Sequence, residues 1–76
     1  MTPTEYREAI KSLGLSQVGA SRLFGVDPRT SRRWAIGELP VPRAVALCLI
    51  LMMAHGVSAA DAERAITASN ATSNAP

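Results

Sequence analysis

Three arginines stand at a spacing that places them on one side of a helix. Arg29, Arg32, Arg33 and Ile36 fall at i, i+3, i+4 and i+7. An arginine presents five N–H donors in a planar fork. That fork matches phosphate oxygens and the O6/N7 edge of guanine. Thr30, Ser31, Trp34 and Ala35 fall on the opposite side. A helix built this way is expected to pack by its Trp34 side and to offer the guanidinium groups to an anionic partner.

The arginines are held by a stretch that reads LSQVGASRLFGVDPRTSRRWAIG, from Leu15 to Gly37. Its signals predict two short helices joined by a tight turn. Ser16 is an N-cap for a helix running to Phe24. Gly25 supplies the positive φ that a helix-ending residue takes. Val26 is the apolar residue of the turn. Asp27 caps the next helix, and Pro28 sits at its first position, where a missing N–H costs nothing. That helix is expected to reach Ile36, with Gly37 closing it.

These residues resemble the helix-turn-helix of the phage-repressor and Cro type, often called Xre-like. The likeness rests on Gln17 opening the first helix, Ala20 facing the partner helix and Gly25-Val26 at the turn. It continues through Asp27-Pro28-Arg29-Thr30, Arg32-Arg33-Trp34, Gly37 and Pro40-Val41-Pro42. It covers about two thirds of the chain, from Thr4 to Leu51. Two positions depart. Ser21 stands where the family usually has Ala against the turn, and Ser31 where it usually has a branched apolar residue. Looser packing beneath the arginine helix is expected from these two small side chains.

The resemblance implies that the Pro28–Ile36 helix enters the major groove of double-stranded DNA while the Ser16–Phe24 helix crosses the backbone. It gives Arg29, Arg32 and Arg33 as base contacts. Ser16, Gln17, Arg22, Thr30 and Arg43 are the expected phosphate contacts. The free N–H groups beside Ser16 and Gln17 are expected to bind a phosphate, helped by the helix dipole. The arginine face carries no Asn or Gln, so guanine is the expected base rather than adenine. The function that follows is sequence-specific DNA binding, as in a small transcriptional regulator. Two alternatives use the same fold: a protein-interaction module such as an antitoxin, and a phage or plasmid accessory protein.

Composition agrees with a small intracellular domain. Seventy-six residues make one domain, and an apolar share of 47% is enough for a small core and too high for disorder. A single cysteine excludes an internal disulfide, and no Cys/His cluster has metal-ligand spacing. No metal and no cofactor are expected. The polar start Thr2-Pro3-Thr4-Glu5 does not read as a signal peptide, so a cytoplasmic location is expected. The net charge of +2 is unevenly spread. From Arg22 to Arg43, five arginines oppose Asp27 and Glu38, a surplus of three. Residues 1–21 are neutral and residues 44–76 carry one net negative charge. The surplus coincides with the two-helix stretch, as a nucleic-acid footprint does.

The remaining elements are also helical, giving an all-α bundle of about five short helices. Thr2, Pro3 and Glu5 form an N-terminal capping signature, followed by a stripe of Tyr6, Ala9, Ile10 and Leu13, with Gly14 as terminator. The second helix is expected to bury Ala20, Leu23 and Phe24. Glu38 to Pro42 is a loop, since two prolines in three residues cannot continue a helix. A fourth helix is expected from Pro42 to Ala54. Its run from Ala44 to Ala54 is apolar throughout, but eleven residues fall well short of the roughly 20 that span a bilayer. No membrane partner is expected, and burial on most sides is. Ser58 and Asp61 cap a fifth helix carrying Ala62, Ala65 and Ile66. The domain is expected to span 1–69, with a disordered tail over 70–76.

Other reactive side chains read as structural. Cys48, inside the apolar run, is a buried inert thiol. His55 closes a helix where a cation suits the dipole. Met52 and Met53 are packing residues. Ser16 has no His–acid pair to activate it, so no catalytic residue is assigned and an enzyme is not expected. A homodimer is expected on two grounds. Four short neighbours cannot cover the whole apolar helix, which leaves Leu47, Leu51 and Met52 in water. Two recognition helices also read half-sites one helical turn apart, gaining specificity that a single one lacks.

Overall fold

A computed structural model describes residues 1–72, with side chains described as far as residue 69. It is all-helical, with α1 Pro3–Ser12, α2 Gln17–Phe24, α3 Pro28–Ile36, α4 Arg43–His55 and α5 Ala59–Thr72. No strand occurs among the described residues.

Four of the five helix starts are fixed by a side chain that satisfies free backbone groups, while α4 begins after Pro42 with no side-chain cap. At α1, Thr2 Oγ1 accepts from the Glu5 N–H at 3.1 Å, and Glu5 Oε1 accepts from the Thr2 N–H at 2.8 Å. Ser16 Oγ caps α2 through the Gly19 N–H at 2.9 Å, and Asp27 Oδ1 caps α3 through the Arg29 N–H at 2.8 Å. Ser58 Oγ caps α5 through the Asp61 N–H at 3.1 Å. Gly25 closes α2 at φ 67°, a left-handed conformation that a side chain would strain. The fifth helix continues to Thr72, so 70–72 are helical rather than tail; 73–76 lie outside the described residues.

The core forms where α1, α2, α3 and α4 converge. Tyr6, Ala9 and Ile10 of α1 meet Ala20 of α2, Trp34 and Ala35 of α3 and Leu49 of α4. Tyr6, Ala9 and Ile10 of the expected α1 stripe and Ser31, Trp34 and Ala35 of the inner α3 side are buried, while Leu13, Thr30 and Phe24 are only half-buried, with Leu13 and Phe24 packed against the core edge. α4 departs from expectation. Only Ala46, Leu49 and Met52 are buried, so the helix is covered on one side rather than on most. Met52 therefore belongs to the core and not to the exposed surface with Leu47 and Leu51. The cause is the set of neighbours: α1 lies against α4, while α5 turns away to touch α2.

Candidate nucleic-acid interface

The inner side of α3 determines where its outer side points. Ser31, Trp34 and Ala35 are buried, with Trp34 only 3% exposed. The Trp34 ring stands edge-on to Tyr6, with centroids 5.8 Å apart and planes at 83°. This T-shaped arrangement suits the ring quadrupoles. The Tyr6 hydroxyl lies 2.7 Å from Ser31 Oγ, a buried hydrogen bond between α1 and α3. Burial raises the Tyr6 phenol pKa above its ordinary value, with the Ser31 hydrogen bond acting in the opposite direction. At the far end of α3, the Arg7 guanidinium donates to the Ala35 carbonyl and to Thr4 Oγ1. One helix face is thus held at three places by α1.

The two serine departures are resolved here. In place of looser packing, Ser31 is fully enclosed and its hydroxyl is used by Tyr6. Ser21, also buried, donates to the Val18 carbonyl within its own helix. A branched apolar residue at position 31 would leave the Tyr6 hydroxyl without this partner. Sequence reasoning missed the Tyr6–Ser31 pair because its members lie 25 positions apart. It also missed Arg7, which it counted only in the charge balance.

With the inner side fixed, Arg29, Arg32, Arg33 and Ile36 are all exposed. They line one shallow hollow together with Glu38. Glu38 is a further residue that spacing alone did not reveal. Gly37 takes φ 84°, and the chain folds back so that the Glu38 N–H donates to the Arg33 carbonyl at 2.9 Å. Its carboxylate then sits 3.7 Å from Arg33 Nε, an ion pair with both side chains more than half exposed. The available signal was a Gly followed directly by an acid after an arginine-bearing last turn.

The expected phosphate contacts are distributed more widely. Ser16 is exposed, with its hydroxyl engaged by the Gly19 N–H, and Gln17 is half-buried at the first position of α2. Thr30 is half-buried beside Arg29, and Arg43 is exposed at the first position of α4. Arg22 is exposed but lines a different hollow, with Glu63 and Thr67 of α5.

No family model, curated protein or solved structure matches this chain. The candidate interface therefore rests on its own chemistry. Among the described residues there is no group of three or more His, Cys, Asp or Glu side chains that could hold a metal ion. No single helix there is long and apolar enough to cross a membrane. Cys48 is half-buried rather than buried, with Sγ 3.8 Å from Met52 Sδ. His55 is exposed in the last turn of α4.

Proposed function

We propose that this protein binds double-stranded DNA through the outer face of α3. The observation that carries the reading is the exposed cluster of Arg29, Arg32 and Arg33 on a helix whose other face is locked into the core. A rigid helix with a guanidinium face has the diameter and the donors to enter a major groove. Arg29 lies in the first turn of α3, where base edges are within reach of such a helix. Arg32 and Arg33 lie one turn further on and reach bases or flanking phosphates. The open N–H groups in the first turn of α2, beside Ser16 and Gln17, take a backbone phosphate. Thr30, Arg43 and Arg22 supply further backbone contacts, which set register but not sequence. The α2–turn–α3 unit acts as a helix-turn-helix in this reading, and the protein as a small sequence-specific regulator.

Selection of bound duplexes from random DNA with the purified protein tests the reading. The expected outcome is a short enriched motif containing guanines. A pool that enriches no sequence overturns it and favours a protein-interaction module on the same scaffold.

A further inference from the structure

α4 carries no polar side chain between Arg43 and His55 except the thiol of Cys48, yet only one of its sides meets the rest of the fold. Leu49 marks the centre of the buried side. Directly opposite, within about 40° of one line along the helix, run Ala44, Leu47, Leu51 and Ala54. All four are exposed, Leu47 and Leu51 by 54% and 48%. Ile50 flanks them, half exposed.

The order of these side chains is informative. From one end the stripe reads small, large, large, small, at spacings of three, four and three residues. From the other end it reads the same, and its midpoint is at the height of Leu49. A two-fold contact between identical chains requires that residue i meet residue j while j meets i. Any stripe satisfies that relation with an antiparallel copy; the order of this one also brings each side chain against one of its own size. Leu47 then faces the partner's Leu51, and Ala44 faces the partner's Ala54. The alanines at both ends allow the backbones to approach. A stripe without charge also offers nothing to a charged partner, whereas a second copy brings an equally apolar surface.

We propose that two copies of this chain pair α4 against α4, antiparallel, about a two-fold axis at the height of Leu49. The area sets the size class of the contact. A standard interface takes about 800 Å² from each partner, roughly 15% of the 5170 Å² surface of this chain. A stripe about 15 Å long covers less than that. The dimer is therefore a weak one, half-formed at about 10–300 μM. This contact does not depend on the DNA reading, and each survives failure of the other.

Sedimentation of the full chain from about 10 to 500 μM tests it. The average mass is expected to rise from 8.0 kDa toward twice that value. Leu47→Glu and Leu51→Glu are each expected to raise the midpoint at least about tenfold, with helical circular dichroism retained because both side chains are exposed. A chain that stays monomeric throughout overturns the proposal and leaves the stripe to a different apolar partner. Dimerisation unchanged by both substitutions also overturns it. Direction is read by thiol cross-linking in a Cys48→Ala background. Leu47→Cys chains mixed with Leu51→Cys chains are expected to cross-link faster than either alone. Faster linking within either unmixed sample contradicts the antiparallel arrangement.

Discussion

At the scale of single residues, the arginine face depends on two contacts beneath and beside it. The Tyr6–Ser31 hydrogen bond is buried, so removing one partner strands the other. Tyr6→Phe and Ser31→Ala are each expected to destabilise by about 1–3 kcal/mol. The double variant is expected to lose clearly less than the sum, because no polar group is then left unpaired. Chemical denaturation of the four proteins checks this, and strict additivity would show that the bond contributes nothing. Glu38 acts on the outer surface. Its exposed pairing with Arg33 contributes only about 0.2–1 kcal/mol, yet any anionic ligand must compete with it. Glu38→Gln is expected to tighten DNA binding by about two- to fivefold. Fluorescence anisotropy with a labelled duplex measures the change; weaker binding would mean that the carboxylate itself contacts a base.

Helix by helix, the chain was most legible where structure is local. The caps at Thr2, Ser16, Asp27 and Ser58 are decided by side chains within three residues of the groups they satisfy. The α3 faces were legible because its charged positions all fall on one side at helical spacing and its Trp on the other. α4 was illegible in the same terms. A helix apolar on every side has no periodicity to say which side faces inward, so only the arrival of α1 decides it. The Tyr6–Ser31 bond and the Arg33–Glu38 pair depend on how the chain returns on itself, which spacing does not encode.

The α1 cap also gives a pH prediction at this scale. The Thr2 backbone and hydroxyl hydrogen bonds hold the Glu5 carboxyl below its ordinary value of 4.5. A depressed folded value means that the ionised cap stabilises above 4.5, and that this contribution fades as the pH falls through and below it. Glu5→Gln keeps a hydrogen-bonding side chain without titrating. Its Tm is expected to fall less steeply than that of the parent between about pH 5 and 3. Parallel Tm curves would show that the Glu5 carboxylate contributes nothing to this pH dependence.

For the molecule as a whole, surplus positive charge and exposed arginines lie on the same segment, while the apolar stripe lies on another helix. The charge distribution was legible from composition by segment. The separation of the two surfaces required the fold. Trp34 links the interior to the arginine face: Trp34→Ala is expected to cost about 3–5 kcal/mol, most of the stability of a domain this small. The outer face of α3 is proposed to read DNA. Salt-dependent binding of a selected duplex and its scrambled counterpart tests it most directly. The logarithm of the affinity is expected to fall linearly with log salt, and Arg29→Ala to lose about 1–3 kcal/mol on the selected duplex while changing little on the scrambled one. Equal binding of both duplexes, unchanged by Arg29→Ala and by Arg32→Ala/Arg33→Ala, would contradict it.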